Sequence, residues 1–130
     1  MTARSEIETR ITNWAKAQTP PVPVAFEGVS FTKPTSGPYL EVFMLGSDSK
    51  LRNVAADGVR EYGMFQVNCY TPAGKGMGGV EAMAESIVAL FPVLPKTGAV
   101  SIEQPLSWSS GSVIDGFTFV PVRGNYRIES

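Results

Sequence analysis

Two stretches of strict alternation constrain the fold most. In Tyr39–Leu45, Leu40, Val42 and Met44 alternate with Tyr39, Glu41, Phe43 and Leu45. In Tyr62–Thr71, Phe65, Val67 and Cys69 alternate with Gln66, Asn68 and Tyr70. A period of two places every second side chain on one face of a strand, so each stretch predicts a strand with one apolar face and one mixed face. The two are expected to pair antiparallel. The polar stretch between them, Gly46 to Glu61, then reads as a long loop projecting from one end of the sheet. A connection of that length is commonly functional or disordered.

Helical periodicity brackets these strands. Ile7, Ile11 and Trp14 fall at i, i+4 and i+7 within Ala3–Ala17, which predicts an amphipathic helix. Glu6, Glu8, Arg10 and Lys16 are assigned to its solvated side. Thr2 is the expected N-cap, and Thr19-Pro20-Pro21 ends the helix because proline lacks the backbone donor and restricts its predecessor. A second helix is expected from about Met77 to Phe91, with Val80, Met83, Ala84, Ile87, Leu90 and Phe91 on its apolar face and Pro92 and Pro95 beyond it.

Weaker strand signals fill the rest. Val22–Phe26 reads as an edge strand because of Pro23, with Val29 and Phe31 continuing that edge. Val100 and Ile102 suggest another strand, extended past Pro105 by Leu106 and Trp108. Phe117–Ile128 is the last. Phe117 and Phe119 share one of its faces, and Thr118, Val120, Val122 and Tyr126 share the other. Pro121 and Gly124 there suggest an edge strand or a bulge. The order predicts an α+β fold, an antiparallel or mixed sheet with both helices packed on one face. A length of 130 residues fits a single domain over 1–130.

Composition then narrows the function. Net charge is −1 from 11 basic and 12 acidic residues, so no basic excess exists to neutralise phosphates, and direct nucleic-acid recognition is not expected. Cys69 is the only cysteine, which excludes an intrachain disulfide and favours a reducing compartment. The N-terminus, MTARSEIETR, lacks an apolar signal core, and the strongly apolar run Ile87–Leu94 is too short to span a bilayer. No membrane partner is therefore expected.

Histidine is absent, which removes the commonest general base and metal ligand. With one cysteine, a Cys/His zinc site and a Cys–His dyad are also excluded. No GxSxG nucleophile elbow occurs. Glu6, Glu8, Glu81 and Glu85 read as solvated helix faces rather than acid–base groups. The chain is therefore expected to be no enzyme, with neither cofactor nor metal. One motif invites a phosphate reading: Gly74, Gly76 and Gly79 have GxGxxG spacing before the second helix, with Lys75 among them. The order Lys75-Gly76 does not fit the P-loop, which needs GK followed by Ser or Thr. A flexible strand-to-helix turn is the plainer reading. Cys69 and Trp14 read as core residues. Trp108, in a serine-rich setting, divides between core and interface.

The whole-chain pattern resembles the phage tail-terminator-like proteins of long-tailed phages and prophages. The resemblance runs through Ile7, Arg10, Ile11 and Trp14, then Pro21–Glu27, Phe31, Pro34 and Gly37–Val42. It continues through Tyr62–Tyr70 with Pro72-Ala73-Gly74, Ala89–Pro92, Gly116–Arg123, and Tyr126-Arg127. It implies a homo-oligomer, a hexameric ring that caps the tail tube, stops its polymerisation and offers a surface to the head–tail connector. Its partners would be itself, the tail tube protein and the connector protein. It would be made in the host cytoplasm and end in the virion tail. A closed ring needs a heterologous interface, one patch meeting a different patch on the neighbour. Asp48, Lys50, Arg52, Asp57 and Arg60 of the polar stretch, with Trp108, are the expected subunit and partner contacts. Two alternatives stand beside this reading: a head-completion or neck protein, and a small-ligand or nucleotide-binding domain using the Gly74–Gly79 turn.

Overall fold

The computed structural model describes residues 3–51, 59–74, 76–93, 100–102 and 104–129. Side chains at 3, 46–51, 59–61 and 128–129 lie outside the description. Helix α1 spans Ala3–Ala17, β1 Val24–Phe26, β2 Tyr39–Leu51, β3 Val59–Pro72, α2 Gly78–Ala89, β4 Ser107–Trp108, β5 Ser112–Ile114 and β6 Phe117–Glu129. The strands form one mixed sheet in the order β1-β2-β3-β6-β4, with β5 also pairing β6. Only β1 is parallel to its neighbour; β2, β3 and β6 pair antiparallel. The architecture is α+β, as the periodicity predicts.

The alternation becomes a two-faced sheet. Register pairs Leu40 with Cys69, Val42 with Val67 and Met44 with Phe65 across β2 and β3. It pairs Val67 with Val122 and Cys69 with Val120 across β3 and β6. These residues are buried, apart from a half-buried Met44, and pack with Ile7, Ile11 and Ala15 of α1, with Val80, Ala84 and Ile87 of α2, and with Phe91. Both helices thus cover one face, and the apolar area removed from water there drives the fold. Trp14 and Trp108 pack half-buried against this core.

Several expectations need correction. Gly46–Leu51 and Val59–Glu61 are strand rather than loop: β2 and β3 stay paired out to Leu51↔Val59, past a bulge between Met44 and Gly46. Backbone ladders propagate from strong strands without needing an apolar face, and that part of the signal is invisible to periodicity. Strand β6 follows β3 as far as Arg60↔Glu129, so it thickens the same extension. β6 is also no edge strand, since β3 flanks one side and β4 and β5 the other. Pro121 falls between the segments that β5 and β4 pair, where a missing donor costs the ladder least. Gly124 makes room for Leu106, whose Cγ would lie 2.7 Å from an added Cβ.

Val29 and Phe31 do not continue β1; they lie in an exposed loop. Around Val100 and Ile102 the pairing is a single bridge, Ser101 to Arg127. Helix α2 is shorter than expected at both ends. Glu6 is not solvated: it is 7% exposed. Its carboxylate accepts from the Arg10 guanidinium at 2.7 Å and from the Val100 backbone N–H at 3.2 Å. The expected cap at Thr2 lies outside the described residues.

Candidate assembly face

The second sheet face has no helix over it. Tyr39, Glu41 and Phe43 on β2 lie beside Tyr70, Asn68 and Gln66 on β3. Beyond these, Phe119, Pro121 and Arg123 on β6 complete the rows. An antiparallel sheet can leave one face to water. The aromatics of this face cover one another instead: Tyr39 and Phe117 are buried, and Tyr70 and Phe119 half-buried. Tyr39 and Tyr70 stack at 4.3 Å, with Phe117 edge-on to Tyr39 at 5.3 Å and Phe119 tilted on Tyr70 at 5.1 Å. Phe31 tilts onto Tyr39, and the Lys33 ammonium sits 4.7 Å above the Phe117 ring centre.

Beside the aromatic cluster runs a chain of hydrogen bonds. Arg123 Nε donates to Gln66 at 2.7 Å, and Gln66 Nε2 donates to Asn68 Oδ1 at 2.6 Å. Asn68 Nδ2 and the Tyr70 hydroxyl both donate to Glu41 Oε1, at 3.3 and 2.6 Å. The chain crosses three strands and ends in an exposed guanidinium. Burial, then the bonded and charged Glu41, push the Tyr70 phenol well above its ordinary range. Burial raises the Tyr39 phenol as well, followed by the charges of Glu41 and Asp115. Asp115 therefore reaches the same corner of the sheet. The network holds its side chains in one geometry, which suits recognition by a preformed surface.

Farther along the face, beside the bulge, exposed apolar residues replace the aromatics. Leu45 is 48% and Met64 41% exposed. Leu45 sits unpaired in the bulge, and Met64, two residues before Gln66, lies on the same side of β3 as Gln66.

The residues expected to make contacts distribute unevenly. Asp48, Lys50 and Arg60 fall on the β2–β3 ribbon, with register Asp48↔Tyr62 and Lys50↔Arg60, but their side chains lie outside the description. Arg52 and Asp57 lie outside the described residues. Trp108 is on β4 opposite Val122 and packs half-buried against the core. Gln66, Asn68, Glu41 and Arg123 were not singled out from sequence. Their only sequence signal is alternation within two strands, which does not reveal that three strands align them in register.

The Gly74–Gly79 turn follows β3, both of whose neighbours are antiparallel, so no βαβ phosphate cradle forms there. Gly74 and Gly76 have positive φ, as a tight strand-to-helix turn requires. Lys75 lies outside the described residues. A groove of about 370 Å³ between α1 and β1 is lined by Arg4, Glu8, Thr12, Asn13 and Phe26, and Arg4 there already pairs with Glu8 and Glu27. Among the described residues, no group of three or more His, Cys, Asp or Glu is placed to hold a metal. No helix among them is long and apolar enough to cross a membrane.

Fold and face define the class: a two-layer α+β protein with one sheet face buried under helices and the other presented as ordered surface. A family model described as phage tail terminator protein matches residues 3–123, and the chain belongs to that family. The family is a structural one, a component of the virion tail. Among solved structures 12 chains match. One is 35% identical, with a TM-score of 0.77, covering 96% of this chain and 92% of its own. No curated protein matches.

Proposed function

We propose that this chain is a single-domain ring subunit that caps the finished tail tube, halts its polymerisation and presents a surface to the head–tail connector. The ring is a hexamer of this chain, assembled in the host cytoplasm without catalysis or cofactor. The observation that carries this reading is the helix-free sheet face. It combines stacked aromatics, a five-residue hydrogen-bond chain and exposed Leu45 and Met64 on one preformed surface. The aromatics and hydrogen bonds hold the face in one shape, and the exposed Leu45 and Met64 gain more from covering than from water. The charges of Asp48, Lys50 and Arg60, carried on the β2–β3 ribbon, together with those of Arg52 and Asp57, meet the neighbour and set register. Trp108 stays near the β6 flank.

The native mass across a concentration range, with and without tube protein, tests the ring. A discrete sixfold multiple of the 14.0 kDa chain is expected. In a phage lacking this gene product, tails of uncontrolled length are expected under the electron microscope. Normal tail length in that phage, or a monomer under every condition, would overturn the reading. A neck protein would instead leave tails of normal length that fail to join heads.

A further inference from the structure

A ring needs two unlike patches, and the surface carries two apolar patches flanked by opposite charges. The first is Leu45 and Met64 at the base of the ribbon, with Arg123 diagonal to Met64 on the same face. The second is on β5, where Ile114 is 44% exposed, pairs with Phe117 on the helix-free side and is followed directly by Asp115; Val113, paired with Thr118, points to the other side. β5 is a three-residue edge strand with every residue exposed and no charge or proline to guard it. Asp115 and Gly116, at φ 49° and 80°, form the two-residue turn into β6 and fix where the carboxylate stands.

Neither Arg123 nor Asp115 belongs to an ion pair among the described residues. They cannot meet within one copy. Arg123 lies six positions along β6 from Phe117, beside the turn, which is about 20 Å of strand. A third exposed apolar patch, Val29 and Phe31, differs in that its charges are engaged. Glu27 holds Arg4 and the Met44 N–H, and Lys33 lies over Phe117.

We infer that β5 and its turn in one copy seat on the ribbon base of the next, Ile114 against Leu45 and Met64, with Asp115 facing Arg123. The occupant is a second copy of this chain, and the inference rests on the ring reading above. Copies joined this way, each β5 turn on the ribbon base of the next, form a ring when the rotation between them closes. The Gln66 bond takes the Nε of the exposed Arg123 and leaves its η nitrogens as donors for a carboxylate. The carboxylate stands on a turn that the fold has already fixed.

Charge exchange tests this on the full-length chain. Arg123→Glu and Asp115→Lys, each alone, should raise the concentration for half-assembly about tenfold or more. The double variant should return it to within about threefold of wild type. Thermal melts of each variant verify folding, and Asp115→Asn, which keeps the turn conformation, removes the charge alone. An independent readout mixes Ile114→Cys chains with Met64→Cys chains. They should crosslink with each other under mild oxidation, and neither should crosslink alone. If wild type assembles while the charge variants assemble equally well, or if the mixed cysteine chains stay uncrosslinked in the ring, this contact is wrong and the ring reading stands. A wild type that never assembles overturns both.

Discussion

The ring of Tyr126 lies directly over Gly63, its register partner across β3 and β6. A Cβ at Gly63 would overlap the phenol ring, and Tyr126 is only 4% exposed, so it has little room to swing aside. Gly63 is therefore a packing requirement inside a strand, where glycine is otherwise a weak choice. Gly63→Ala should destabilise by about 1–3 kcal/mol, because overpacking outweighs the entropic gain of removing a glycine. In a Tyr126→Ala background the same change should become neutral or stabilising. Urea denaturation of the four chains reads that sign reversal directly.

Glu6 ties three parts of the chain together. Its carboxylate accepts from Arg10 and from the Val100 backbone N–H, while Arg10 also donates to the Leu90 carbonyl at 3.3 Å and lies 5.2 Å above the Phe91 ring. Glu6→Ala should cost about 3 kcal/mol, since it strips partners from a part-buried guanidinium and a buried N–H. Glu6→Gln keeps an acceptor and should cost less. Equilibrium unfolding with a constant m-value checks this, and equal losses in the two variants would show that charge rather than acceptance dominates.

Glu27 carries a pH dependence. The Met44 backbone N–H bonded to its carboxylate at 2.8 Å holds its pKa below 4.5, assisted by Arg4. A lowered folded-state value means the carboxylate stabilises the fold above pH 4.5 and loses that contribution as pH falls through the folded value. The stability gap between wild type and Glu27→Gln should be constant near neutrality and close in acid. A gap that widens on acidification would reverse the assignment. The effect is small, because the group is exposed.

Cys69 should be inert in the folded protein. It is fully buried between Leu40 and Val120 in register, and burial pushes its thiol up to about 12. Since the thiolate is the reactive form, an aromatic disulfide reagent at neutral pH should label it only on unfolding. Labelling at the rate of a free thiol in native buffer would contradict this packing. Above pH 9 the raised value also makes stability fall, because the unfolded chain ionises first.

How the rest was legible follows from which forces act locally. The bounds of α1 and the core faces of β2 and β3 were readable, because periodicity reports burial directly: Ile7 and Ile11, and Leu40, Val42, Phe65, Val67 and Cys69, sit where their spacing places them. Periodicity misplaced Glu6, because a charge is buried only when distant partners, here the Val100 N–H and the Phe91 ring beside Arg10, come to meet it. It also read Gly46–Leu51 as loop, since a strand held by its neighbours' backbones needs no apolar side chains of its own.

Sequence by itself determined the two helices, the strong central strands and the absence of histidine chemistry, all properties of short windows or of composition. Only the tertiary structure decided that Arg123, Gln66, Asn68, Glu41 and Tyr70 form one line across three strands. It also decided that Pro121 lies in an internal strand and that Gly63 yields its space to Tyr126. Each of these depends on register between segments far apart in the chain. Register is set by the joint packing of all the strands and helices, not by any stretch alone.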